Sequence, residues 1–86
     1  MKPETRKSLT EICYRHALEL RSRILRENPD IQQDIYQDEF LKEWIEYSQV
    51  MLKDSGKLLN ENDLEEFYDI MQNIEHELLE MPTSIS

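Results

Sequence analysis

The chain has 86 residues, 38% hydrophobic and 34% charged, with a formal net charge of −9. That length suits one compact core and excludes a second independent one, and the acidity excludes general nucleic-acid binding, which depends on Lys and Arg neutralising phosphates. One Gly and three Pro against abundant Leu, Glu, Lys, Arg and Gln exclude a turn-rich β architecture and predict an all-α fold.

Ser8-Leu9-Thr10-Glu11 reads as a capping box, so a first helix is expected over about residues 8–27. Leu9, Ile12/Cys13, His16/Ala17, Leu20 and Ile24 form one apolar stripe that runs until Asn28-Pro29 stops it. Leu18 and Leu25 lie off that stripe and widen the face, as in a helix packed between two others or one presenting a second contact surface. Asp30 is a possible cap for a short lead-in helix carrying Ile31, Ile35 and Tyr36.

Asp38 is then the expected cap of a second helix over about 38–54, with an apolar band of Phe40/Leu41, Trp44/Ile45, Tyr47/Ser48 and Met51/Leu52. Trp44 is expected at the core's centre, and Gly56 suits the residue that closes the helix. Lys57-Leu58-Leu59 makes a short link, and Asn60 or Asn62 caps a third helix over about 62–81, with Asp63, Glu65 and Glu66 in its dipole-favoured first turn. Leu64, Phe67, Met71, Ile74, Leu78 and Met81 alternate by four and three, the seam of an antiparallel bundle or coiled coil. Pro82 ends it, and the tail 82–86 is expected to be disordered. The fold expected is a three-helix antiparallel bundle, or a helical hairpin with a short lead-in helix, forming a single domain over 1–86.

Charge is divided along the chain. Residues 1–26 carry a net +4 and the remaining sixty a net −13. A basic helix can lie on acidic ones, or each part can serve a separate partner. The basic candidates are Arg15, Arg21, Arg23 and Arg26. The acidic ones are Asp38, Glu39, Glu43 and Glu46 on the second helix and Asp63, Glu65, Glu66 and Asp69 on the third. They read either as a solvated surface or as a negative face for a basic cleft, one that otherwise holds nucleic acid.

No spacing supports catalysis: the two histidines fall on different helices and no Gly-rich loop accompanies them. Cys13 and His16 share a face, but structural zinc takes four such ligands and only His76 remains, so no metal or other cofactor is expected. Met51, Met71 and Met81 with Phe67 suit an adaptable groove or, by their periodicity, plain core. With one cysteine, no apolar run near the roughly 18 residues of a bilayer span, and no signal-peptide stretch at MKPETRKSLTE, an intracellular protein is expected, without a membrane role.

Cys13 followed by Arg21-Ser22-Arg23-Ile24-Leu25 resembles the amino-terminal segment of the replication protein A-interacting protein family, with its Cys and Arg-x-Arg-Leu-Leu at a similar offset. Glu43-Trp44 is similar to that family's acidic Glu-Trp step. Leu64-Glu65-Glu66 through Ile74-Glu75-His76-Glu77-Leu78-Leu79 resembles its acidic helix, so the likeness spans residues 9–80. The family's Trp at the head of the first helix and its Cys-rich zinc module have no counterpart among these residues. The resemblance implies a non-enzymatic adaptor or chaperone that binds replication protein A and an importin and aids nuclear import, in the service of DNA replication and repair. The alternative expectation is a structural subunit that self-associates, as a homodimer or within a larger complex, through the third-helix seam.

Overall fold

The computed structural model describes residues 1–55 and 60–83. It contains α1 (Pro3–Glu27), α2 (Gln33–Ser55) and α3 (Glu61–Glu80), with every pair of helices in contact. His16 stacks on Tyr47 and Arg23 meets Glu43, and Tyr36 and Trp44 meet the carbonyls of Leu78 and Met71, so α2 runs antiparallel to both neighbours, while Arg6 meets Asp69 and Tyr14 meets Glu77, so α1 and α3 run the same way. The result is an up-down-up three-helix bundle measuring 42 × 21 × 16 Å.

α1 begins five residues earlier than the Ser8 capping box suggests. Pro3 occupies the first turn, where its missing N–H costs nothing and its fixed φ is already helical, and the extended Lys2 stands before it without a side-chain cap. Ser8 is therefore an exposed residue inside the helix. The other end falls as the sequence indicates. Asn28 leaves helical geometry at φ −142°, ψ 79° because the following Pro29 disfavours the α region, and its N–H still donates to the Ile24 carbonyl at 3.0 Å.

A separate lead-in helix is not present. The segment around Ile35 and Tyr36 is the first part of α2, which runs unbroken through Asp38, the residue expected to cap it. The reason lies in α3. Its last carbonyls have no intrahelical partners, and no basic residue stands in its last turn. Side chains from the start of α2 supply the donors. Gln33 Nε2 donates to the carbonyls of Leu79 (3.2 Å) and Met81 (2.9 Å), Gln37 Nε2 to Leu79 (2.9 Å), and the Tyr36 hydroxyl to Leu78 (2.8 Å). From α1, Arg21 adds a bond to the Pro82 carbonyl at 2.7 Å. The Thr83 N–H donates to Gln33 Oε1 at 2.9 Å, so residues 82 and 83 of the expected disordered tail are tied to the bundle. Gly56, the link 57–59 and the tail residues 84–86 lie outside the described residues.

Of the two asparagines that could cap α3, Asn60 is the one used, its side-chain oxygen accepting from the Asp63 N–H at 2.8 Å, and the helix starts at Glu61. The core takes Cys13, Ala17, Leu20 and Ile24 from α1, Ile31 from the turn, Tyr36, Phe40 and Trp44 from α2, and Phe67, Ile70, Met71, Ile74 and Leu78 from α3. Trp44 is fully buried, stacks on Phe40 with centroids 5.7 Å apart and donates its indole N–H to the Met71 carbonyl at 3.1 Å. Small residues on α1, Cys13 and Ala17, accompany the large aromatics of α2. Of the expected α3 seam, Phe67, Met71, Ile74 and Leu78 are buried, whereas Leu64 and Met81 are half-buried. Ile70 joins them because a helix covered by two neighbours needs a stripe wider than a two-helix seam.

Replacing Gln33 with Ala removes three hydrogen bonds around the end of α3 and is expected to cost about 1–3 kcal/mol. Asp38→Ala, at an exposed site, should stay within about 0.5 kcal/mol. Urea unfolding midpoints followed by helical circular dichroism compare the two; equal midpoints would show that Gln33 does not hold α3.

Candidate interaction surface

The basic helix predicted from charge is partly used inside the bundle. At its amino-terminal end, the Met1 ammonium lies 2.5 Å from Asp63 and 3.1 Å from Glu66, and Arg6 lies 3.5 Å from Glu66 and 2.8 Å from Asp69. Midway, Tyr14 donates to Glu77 at 3.0 Å. Arg21, half-buried, holds the Pro82 carbonyl and places its guanidinium 5.3 Å from the Tyr36 ring centroid. Arg23 pairs with Glu43 at 3.3 Å. Of the four arginines proposed from sequence for a partner, Arg15 and Arg26 stand exposed without a described ion pair.

The eight acidic candidates separate in the same way. Asp63, Glu66, Asp69 and Glu43 meet cations of α1 or the chain's amino terminus. Asp38, Glu39, Glu46 and Glu65 are exposed and have no described ion pair. Of these, Asp38 lies on the outward side of α2, opposite Tyr36, Phe40 and Trp44, and Glu39 and Glu46 lie on the flank of that side towards α1. Between them stand large apolar side chains that a solvated face does not need: Ile35 (47% exposed), Ile45 (45%) and Val50 (57%). The outward side of α2 is thus a strip of alternating carboxylates and aliphatic groups, with Lys42 as its cation before Lys53 in the last turn.

Sequence reading missed the aliphatic part of this surface. In sequence, Ile45 falls in the same apolar band as Trp44, and Ile35 falls in the expected lead-in helix. Both sit one residue from a buried aromatic and so turn about 100° away from it. Ile12, expected on the α1 stripe, likewise faces out beside buried Cys13, and Leu18 is exposed as a second-surface residue would be. Met51 packs half-buried against the core, with Met71 inside it.

A groove of about 570 Å³ runs between α1 and α2. Leu20, His16 and Tyr47 line it, with Arg23 and Arg26 from α1 and Glu43 and Glu46 from α2. His16 and Tyr47 stack at 3.8 Å between centroids, 12° from parallel. Burial, with the neighbouring Cys13 thiol adding to it, pushes the Tyr47 phenol up to about 12, and burial likewise raises the Cys13 thiol. A thiol kept protonated in a closed core is a poor nucleophile. His76, the remaining possible zinc ligand, is on the exposed side of α3, 3.7 Å from Glu80. Among the described residues no three His, Cys, Asp or Glu side chains converge as a metal site, and no helix is long and apolar enough to cross a membrane. What the arrangement offers chemically is a surface, with charge and apolar area displayed together.

No family model, curated protein or solved structure matches the chain.

Because the fold favours the neutral Tyr47 phenol, its contribution to stability is complete below its ordinary value of 10.0 and is lost as pH rises from there towards about 12. Thermal midpoints across that range should therefore fall less steeply for Tyr47→Phe than for the parent chain; parallel curves would count against the buried phenol. Cys13, with no exposed surface, should react with a thiol reagent in the folded protein at least about 100-fold slower than in denaturant. Rapid stoichiometric labelling of the native chain would refute that packing.

Proposed function

We propose that the chain is a non-enzymatic, acidic helical adaptor or chaperone whose exposed α2 surface binds a basic nucleic-acid-binding protein. Replication protein A is the partner towards which the sequence resemblance points, with assistance to its nuclear import, alongside an importin, as the biological setting. The observation that carries this reading is the outward strip of α2, where Ile35, Ile45 and Val50 stand among Asp38, Glu39 and Glu46. Carboxylates steer a basic partner and set its orientation, while desolvation of aliphatic side chains supplies affinity that charge alone does not. A merely solvated helix face has no use for three such residues. Exposed apolar groups scattered singly are ordinary; these share one side of one helix.

Self-association through the α3 seam is less well supported. Phe67, Met71, Ile74 and Leu78 are consumed by contacts within one chain, which leaves Tyr68 as the large exposed group of that helix. Arg15 and Arg26 on α1 remain available to a separate acidic carrier, the role expected of an importin contact.

The test is titration of purified replication protein A into the protein at low and high salt. Saturable binding that weakens at high salt is expected, because rim charges between exposed surfaces are screened beyond about 10 Å at 0.1 M ionic strength. Charge reversal at Asp38, Glu39 and Glu46 together should lower affinity at low salt by at least about tenfold while leaving helicity intact. Ile45→Gln should weaken binding at both salt concentrations. Absence of binding at either concentration would overturn the replication protein A reading.

A further inference from the structure

The carboxylates of this bundle are unevenly compensated. Asp63, Glu66 and Asp69 in the first half of α3 are met by Met1 and Arg6, and Glu43 by Arg23. At the other end, around the turn from α1 to α2, the chain runs from Glu27 to Leu41 without a Lys or Arg and carries Glu27, Asp30, Asp34, Asp38 and Glu39. All five are exposed, and among the described residues none is in an ion pair. A groove of about 290 Å³ opens in the middle of this region. Ile24, Ile31 and Ile35 line it with aliphatic surface, and Glu27, Asn28 and Glu39 complete its lining.

We infer that this corner groove is the anchor site of the partner surface: it takes an apolar side chain of a basic partner segment, with flanking Lys or Arg residues meeting Glu27 and Glu39. The inference rests on the proposed function and adds to it a location and a ligand chemistry. Size and charge both select the occupant. The volume lies at or below the roughly 300–1,000 Å³ typical of small-molecule pockets and suits one or two side chains. Ile24 and Ile31 are nearly buried while Ile35 is half open, so a visiting aliphatic or aromatic group would extend the existing core instead of opening it. Five carboxylates in the fifteen residues from Glu27 to Leu41 make the surroundings negative, so the flanks of the visitor must be cationic. A phosphate-bearing ligand is repelled by the same field.

The groove is also continuous with the α2 strip, because Ile35 and Glu39 belong to both. A partner anchored at the corner can therefore extend along α2 towards Asp38, Ile45 and Glu46. Position follows from the fold, since Ile24 comes from the end of α1, Ile31 from the turn and Ile35 from the first turn of α2. The three become neighbours only when the chain reverses at Pro29.

The experiment is an isotope-edited NMR titration of the full chain with a synthetic peptide, Lys-Lys-Leu-Arg-Lys, beside its Leu→Ala and its all-Glu-flanked versions. Saturable shifts of the Ile24, Ile31 and Ile35 methyls are expected with the first peptide and much weaker ones with the other two. Ile35→Gln and Glu39→Lys, both at exposed positions, should each weaken the peptide by about tenfold. Asp54→Lys, an equal change of charge at the far end of α2, should weaken it less than about twofold. If the Leu→Ala peptide binds equally well, or the shifts fall on Ile45, Val50 or Tyr68 instead, the anchor site is wrong, whereas replication protein A binding through α2 stands. If a self-association that grows with protein concentration produces the same methyl shifts without peptide, the occupant is a second copy and the inference is overturned. If neither the peptide nor replication protein A binds, the proposed function falls with it.

Discussion

The hydrogen-bonded closure of α3 by α2 governs much of this molecule's geometry. A helix that ends without glycine and without a basic last turn leaves carbonyl oxygens in need of donors. Here Gln33, Tyr36 and Gln37 reach across from α2, and Arg21 from α1. Those bonds set the axial register of α2 against α3, and the same register delivers the Trp44 indole to the Met71 carbonyl about two turns further along. Once Tyr36 and Trp44 point inward, Ile35 and Ile45 point elsewhere. The exposed strip of α2 is thus the geometric consequence of a capping arrangement on its other side.

Charge is arranged on the same frame. The basic first segment compensates α3 at one end of the bundle and Glu43 near the middle. Exposed pairs of this kind are each worth only about 0–1 kcal/mol, so their main effect is on where negative potential remains. It remains on the outward side of α2, at the α1–α2 turn and along α3, where Glu61, Glu65 and Glu75 have no described ion pair. An acidic protein with its charge distributed evenly would attract basic partners without orienting them. One that neutralises part of its surface internally and leaves another part bare presents a directional field.

Aliphatic groups among these bare carboxylates connect structure with the adaptor reading. Electrostatic attraction raises encounter rates and fixes orientation, whereas residence time depends on surface removed from water. The α2 strip and the corner groove hold both ingredients within one helix and one turn. By contrast, the residues that first suggest chemistry are committed to packing: Cys13 is enclosed, and His16 lies flat against Tyr47 at the edge of the α1–α2 groove.

Sequence alone settles the all-α character, the three main helices, the stop at Asn28-Pro29, an asparagine cap for α3, the burial of Trp44 and most of the α3 stripe. Each of these is written in a helical period or a local backbone preference, and both act within a few residues. Tertiary structure alone decided that α1 extends back to Pro3, that the segment before Asp38 belongs to α2, and that Gln33 and Gln37 are caps for a helix more than forty residues away. It also decided which of eight similar carboxylates are paired and which are bare. Periodicity states which residues share a face of one helix. Which helix lies opposite that face, and at what register, depends on contacts between distant parts of the chain, and so Glu66 and Glu39 look alike in sequence and differ in the fold.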